Sequence, residues 1–187
     1  LNEEARELAA LGVDVIQFDE PAFNVYMDEV RDWGIEALDA AVAGLACRTA
    51  VHICYGYGIK ANIDWKGTLG GEWRQYEQTF PLLARSRIGG VSLECANSRV
   101  PIALIELLGD KDILLGAVDV ATEAVETPAE VAAVIRQALR HAPAERLYPC
   151  TNCGMVPLAR EVASAKLRAL AAGAALVRAE LAPAARR

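Results

Sequence analysis

Five short apolar runs punctuate the chain: VDVIQF (13–18), TAVHIC (49–54), GVSLEC (90–95), ILLGAV (113–118) and RLYPC (146–150). They are nearly continuous in apolar character rather than alternating, as strands buried on both faces of a parallel sheet are. Helical patterns lie before, between and after them. The first covers residues 2–11. A long one spans 27–45. A third spans 71–86, with Pro81 as an expected break. A fourth covers 100–109. The fifth, TPAEVAAVIRQALRHA (127–142), opens with Thr127 as N-cap, Pro128 at the first helical position and Glu130 completing a capping box. Its apolar residues Val131, Val134, Ile135, Ala138 and Leu139 fall on one helical face. The last helix is expected from about Pro157 to Leu170, with a further turn or two after Gly173.

Strand followed by helix, five times over, predicts an α/β fold with a parallel sheet and helices outside it. An open doubly wound sheet and a (β/α)8 TIM barrel share this pattern. No G-x-G-x-x-G turn supports the dinucleotide-binding form of the open sheet. The polar residues decide between the two. Asp19 and Glu20 end the first strand, His52 and Cys54 the second, and Glu94 the third. Asp119 follows the fourth, and Cys150 and Cys153 follow the fifth. Both folds place their sites at the carboxyl ends of strands. In a barrel all these ends converge on one mouth, which favours the barrel, with this chain supplying about the last five β/α units.

Composition narrows the function classes. Hydrophobic residues make up 53% of the 187 and charged residues 24%, as in a globular domain. The formal net charge of −6 argues against a nucleic-acid partner. No apolar run is long enough to span a bilayer, and no signal-peptide pattern is visible. Five cysteines without regular spacing favour reduced thiols in a cytoplasmic protein over a disulfide framework. The chain opens on Leu1, and its first eleven residues already read as helix, which predicts that it lacks its natural N-terminus. A complete barrel of this type takes about 250 residues. Alone, the chain is therefore expected to be poorly soluble or to pair through the edges at 13–18 and 146–150, with little activity.

The stretch VHICYGYG (51–58) carries the first chemical signal. In a strand, His52 and Cys54 face the same side, and the glycines end the strand just beyond them. The pair reads either as buried core or as half of a metal site. His52, Cys54, Glu94 and Cys153 together offer an imidazole, two thiolates and a carboxylate, all of them zinc ligands. Around Zn²⁺ that set leaves a charge of about −1. Such an anionic, sulfur-rich site suits a substrate thiolate as nucleophile better than it suits activated water.

At this point the sequence resembles the cobalamin-independent methionine synthase family, in its C-terminal catalytic barrel. IQFDEPA (16–22), HIC (52–54), VSLE (91–94) and NCG (152–154) look like that family's blocks, in the same order. The resemblance spans essentially residues 1–187, read as the C-terminal part of one zinc-dependent methyltransferase barrel. It implies zinc held by His52, Cys54, Glu94 and Cys153, homocysteine as acceptor with its amino group on Asp19, and a methylfolate or a methylated carrier protein as donor. It also favours Cys153 over its neighbour Cys150 as ligand. Asn97, Ser98 and Arg99 follow Glu94 and are candidates for lining the substrate pocket. Asp119 either bonds substrate or caps a loop. One departure stands out: longer family members carry a histidine after the fourth strand, where this chain has Ala121. Cys95 and Cys47 read as buried structural thiols. Tyr55, Tyr57, Trp65 and Trp73 form a lid or simply pack. The competing functions are a zinc transferase for another thiol and an inactive barrel fragment.

Overall fold

The computed structural model describes residues 1–56 and 60–182, without the side chains of 61–63. Helix α1 (Asn2–Ala10) precedes strand β1 (Val15–Glu20). Helix α2 (Met27–Glu29) passes through a π turn (Val30–Gly34) into α3 (Ile35–Ala41). Strand β2 (Arg48–Ile53) is followed by α4 (Lys60–Gly67) and α5 (Tyr76–Arg85). Strand β3 (Gly90–Glu94) leads to a 3₁₀ segment (Ile102–Leu108). Strand β4 (Asp112–Val118) leads to α6 (Pro128–Ala138), and β5 (Leu147–Thr151) leads to α7 (Arg160–Leu181). The strands form one parallel sheet in the order β1-β2-β3-β4-β5.

Register assigns the two faces. Asp19 pairs with His52, His52 with Ser92, and Ser92 with Leu114, so these side chains share the inner face. The alternate residues Val51, Ile53, Val91, Leu93, Ile113 and Leu115 are almost wholly buried. They pack with Phe80, Leu83, Ile105, Leu108, Val131 and Ile135 from the covering helices. Each such side chain contributes about 1.5–3 kcal/mol on burial, so the helix-facing layer holds the sheet together. That leaves the inner face free to carry polar groups. At its lower end Arg48 reaches over Gly90 to Asp112 (3.2 Å) and to the Tyr148 hydroxyl (3.1 Å). A Cβ on Gly90 would stand 3.2 Å from the Asp112 Cβ, so a larger residue would crowd that crossing.

Several local expectations change. Pro81 lies inside α5 and does not break it, because Tyr76, Phe80 and Leu83 are fully buried and pin the helix on both sides of the proline. Residues 100–109 form a tighter 3₁₀ segment over 102–108 that still buries Leu104, Ile105 and Leu108. Helix α4 was not legible in the apolar pattern. Cys47 is half-buried rather than buried. The capping box of α6 forms as expected, with the Thr127 N–H donating to Glu130 Oε2 at 2.7 Å.

The last helix starts at Arg160 and runs through Gly173 without interruption. Gly173 is a packing residue: a Cβ there would lie 2.6 Å from Val131 Cβ and 2.8 Å from the Pro128 carbonyl. Helices α6 and α7 approach so closely because that position is bare. Gly173→Ala should therefore destabilise the domain by about 1–3 kcal/mol through overpacking, despite alanine's better helix propensity. Thermal unfolding followed by circular dichroism measures this, and an unchanged or raised midpoint would contradict the packing role.

Candidate metal centre

Strand β2 ends at Ile53, and the chain turns sharply at Gly56, whose φ of +76° suits glycine. His52 is still within the strand. Cys54 follows, with its N–H on the Glu20 carbonyl (3.3 Å) and its Sγ accepting the Gly56 N–H (3.0 Å). Across the mouth, Asn152 is buried after β5. Its Oδ1 accepts the N–H groups of Cys95 (3.2 Å) and Ala96 (3.1 Å), and its amide donates to the Ala96 carbonyl (2.8 Å). This three-bond clamp ties the loop after β3 to the loop after β5 and sets Cys153 opposite Cys54. Gly116 makes room for it, since a Cβ there would meet Asn152 Oδ1 at 2.5 Å.

The two sulfurs lie 3.5 Å apart. Among the described residues, His52, Cys54 and Cys153 form the cluster whose ligand atoms all fall within 4.8 Å of one another. His52 Nδ1 lies 2.9 Å from the Ser92 hydroxyl, while its buried Nε2 has no hydrogen-bond partner. A buried polar atom without a partner costs about 1–3 kcal/mol, which a cation at Nε2 would relieve. With metal–sulfur bonds of about 2.3 Å in a tetrahedral site, two thiolates stand about 3.8 Å apart, close to the spacing here. The donors fit a divalent metal.

The electrostatics agree. The His52 pKa is raised: burial pulls it down, but the interaction with the Cys153 sulfur, first as a hydrogen-bond acceptor and then by its charge, together with the charges of Glu94 and Asp19, outweighs burial. Cys54 is pushed far up by its hydrogen bond to Cys153 and by burial. Cys153 is pulled down by the Cys54 thiol and, against burial, by His52. The pair therefore releases one proton readily and keeps the other.

The remaining expected residues divide. Glu94 is fully buried at the end of β3, and its Oε1 accepts the Tyr55 N–H at 2.9 Å. It lies outside the three-residue cluster, although its charge reaches both His52 and Cys54. Asp19 is exposed beside His52 and accepts a hydrogen bond from Gln17 (2.8 Å). Glu20 is a loop cap, taking the N–H groups of Ala22 and Phe23 at 2.6 Å each. Asn97 is exposed with a left-handed φ of +49°, and Ser98 donates to the Glu94 carbonyl (2.9 Å). Asp119 accepts the Ala121 N–H (2.8 Å), which holds its loop. Cys150 is pushed up to about 12 by burial and lies near Ser92 rather than in the cluster. Cys95 packs against the core as expected. Tyr55 contacts Trp65, Trp73 and Tyr76 at 5.9, 5.1 and 5.1 Å, the arrangement of a packed aromatic cluster. Tyr57 lies outside the described residues.

Sequence reading missed three supporting residues. Ser92 shares a face with Glu94 by simple alternation and could have been found that way. Asn152 sits inside the NCG block, but only its neighbour drew notice. Lys166 gave no signal: it is fully buried and holds Glu126 at 3.0 Å, while Glu126 accepts the Asp119 N–H at 2.8 Å. This relay fixes the loop after β4 to α7.

Comparison with known proteins agrees with this architecture. Residues 1–175 match the family described as the catalytic domain of cobalamin-independent synthase. The methionine synthase of Saccharolobus solfataricus is 32% identical over 184 residues, covering 97% of this chain and 49% of that protein. That of Sulfurisphaera tokodaii is 28% identical, covering 97% and 48%. The chain thus spans about half the length of the curated relatives it matches. Among solved structures, a B12-independent methionine synthase from Shewanella sp. W3-18-1, in complex with selenomethionine, superposes with a TM-score of 0.93 at 63% identity. The match covers 96% of this chain and 53% of that one. A B12-independent methionine synthase assignment from Listeria monocytogenes, at 17% identity and a TM-score of 0.66, shares the fold alone. The five units are accordingly part of a β/α barrel, as the convergence of strand ends implied.

Metal content after purification tests the cluster. Cys54→Ser and Cys153→Ser should each lower bound divalent metal sharply, while Cys150→Ser should leave it unchanged. Ser92→Ala should weaken metal affinity about 10- to 100-fold, because the imidazole loses the partner that orients it. Elemental analysis and competition with a chelator measure both, and full occupancy in the two ligand variants would refute the assignment.

Proposed function

The chain belongs to the family of cobalamin-independent synthase catalytic domains, and on that premise we propose that it forms the metal-binding part of a zinc-dependent methyltransferase that converts homocysteine to methionine. The observation that carries this reading is the buried, unpartnered Nε2 of His52 beside two thiols 3.5 Å apart. Glu94, at the end of the adjacent strand, completes the proposed ligand set. What zinc supplies there is a lower pKa for a thiol brought to its side.

The protein's own residues do the rest. Ser92 holds the His52 ring through Nδ1, and the Gly56 N–H stabilises the Cys54 sulfur. Asp19, exposed at the end of β1 beside His52, takes the substrate's ammonium group. With the amino group fixed there, the sulfur points into the mouth for in-line attack on the donor's methyl carbon. A carbon–sulfur bond forms, and the bond from methyl to donor breaks with its electron pair leaving on the donor. A methylfolate or a methylated carrier protein supplies the methyl group. The anionic ligand set keeps the attacking sulfur electron-rich, which favours this chemistry over activation of water. Residues Asn97 and Ser98 sit at the rim, where they can contact the bound amino acid. Among the described residues no helix is long and apolar enough to cross a membrane, and a cytoplasmic location suits five reduced cysteines.

X-ray absorption of the zinc-loaded protein gives the direct test. Added homocysteine should bring one further sulfur scatterer to the metal, and saturated binding without it would refute thiol activation. Asp19→Asn should weaken homocysteine binding roughly 10- to 150-fold while leaving metal content unchanged, since a charge-assisted hydrogen bond contributes about 1.5–3 kcal/mol. Calorimetry measures this, and equal affinity in the variant would remove Asp19 from the substrate site.

A further inference from the structure

The ladder between β2 and β3 stops short of its neighbours. Strand β1 pairs with β2 up to Ile53, and β3 pairs with β4 up to Glu94, but β2 pairs with β3 only through His52 and Ser92. The two strands therefore fork where the ligand candidates begin, with Cys54 after one prong and Glu94 on the other. Had the parallel pairing run on, the next bonds would join the Glu94 N–H to the Ile53 carbonyl and the Tyr55 N–H to the Glu94 carbonyl. Ile53, Tyr55 and Glu94 are all buried, so each of these backbone groups needs another partner.

Side chains supply the partners. The Tyr76 hydroxyl donates to the Ile53 carbonyl at 2.9 Å. Burial pushes the phenol pKa far up, so the hydroxyl stays a donor, while the Glu94 N–H bonds the same oxygen and pulls the other way. One hydroxyl thus stands in for the missing ladder bond. Beyond it, the Tyr55 N–H goes to the Glu94 carboxylate (2.9 Å) instead of the Glu94 carbonyl, and that carbonyl accepts from the Ser98 hydroxyl (2.9 Å). Tyr76 itself opens α5 and is fully buried. It stacks on Phe80 with ring centres 4.5 Å apart and meets Tyr55 edge-on at 5.1 Å. A phenylalanine would fill the same space, so packing alone does not call for the oxygen. What the oxygen adds is the opening of the fork.

We propose that Tyr76 is a positioning residue of the metal centre: its hydroxyl keeps the ends of β2 and β3 apart and so sets the Glu94 carboxylate against the turn that carries Cys54. Without the hydroxyl, the Glu94 N–H and the Ile53 carbonyl pair directly, the fork closes, and the carboxylate loses the Tyr55 N–H that orients it. The inference rests on the ligand set proposed above, with Glu94 in it.

Cobalt(II) added to the metal-free full chain tests it, because its ligand-field bands follow the whole donor set and its sulfur-to-metal bands follow the thiolates. In Tyr76→Phe the sulfur bands should persist and the ligand-field bands should shift as they do in Glu94→Gln. Affinity, measured by competition with a chelator, should fall about 10- to 100-fold, as when an outer-shell partner is lost. Adding Tyr76→Phe to Glu94→Gln should change little more, since both act on one carboxylate. Phe80→Leu loosens the same packing but keeps the hydroxyl, and it should lower the unfolding midpoint while leaving the spectrum unchanged. Should Tyr76→Phe fail to fold, Ser98→Ala removes the support on the other side of the fork and should shift the bands in the same direction. Unaltered bands and affinity in Tyr76→Phe, or in Ser98→Ala where that variant carries the test, overturn the proposal, and so does an equal shift in Phe80→Leu. If Glu94→Gln still shifts the bands, the ligand set survives that failure. An unaltered spectrum in Glu94→Gln removes Glu94 from the ligand set, and the proposal falls with it.

Discussion

Parallel pairing of β2 with β3 sets the side chains of His52 and Ser92 on the same inner face, with Nδ1 2.9 Å from the hydroxyl. That contact decides which imidazole nitrogen is occupied and which is left for another partner. A shift of the register by one residue would turn Ser92 toward the helices and put Val91 or Leu93 beside the ring. The register is held from the opposite face by residues that have no chemical role. Val51, Ile53, Val91 and Leu93 are all fully buried against α5 and the segment after β3. The site's geometry is thus a by-product of apolar packing one side chain away along each strand.

What this packing assembles is electrostatically unfinished. Glu94 is fully buried, two thiols share a proton, and a buried imidazole nitrogen has no partner. Concentrating that much negative potential in a mostly desolvated pocket is unfavourable unless a cation neutralises it. The opposed shifts of Cys54 and Cys153 express the same conflict, because the second thiol cannot ionise beside the first. His52, Cys54 and Cys153 would hold a divalent metal, whose charge would offset the thiolates and give the unpartnered Nε2 a partner. The network around the cluster is consistent with such a centre, since the Ser92 hydroxyl and the Gly56 and Tyr55 N–H groups each address a different ligand candidate.

Much of this was legible in the sequence, for reasons that also explain what was not. Strands reveal themselves through apolar runs, and the five expected ones lie within two residues of those found. Strand carboxyl ends are where α/β folds gather chemistry, so His52, Cys54 and Cys153 could be brought together before any coordinates. The errors lie where tertiary packing overrides local signals. Gly173 reads as a helix end, but the absent side chain serves the contact with Val131. Pro81 reads as a break, but flanking aromatic burial keeps the helix whole. Lys166 carries no signal in the sequence, and only the fold shows it buried against Glu126. Helix α4, between β2 and the helix expected over 71–86, carries no clear apolar period and was not visible.

The loop above the cluster shows how one backbone turn holds a sulfur. Gly56 adopts a left-handed turn whose N–H faces the Cys54 sulfur while its carbonyl faces Lys66. The Lys66 ammonium at that carbonyl and the Cys54 sulfur at that N–H fix the turn from its two sides. A residue with a side chain at this position would strain the left-handed φ, so the donor that faces the sulfur depends on glycine for its place.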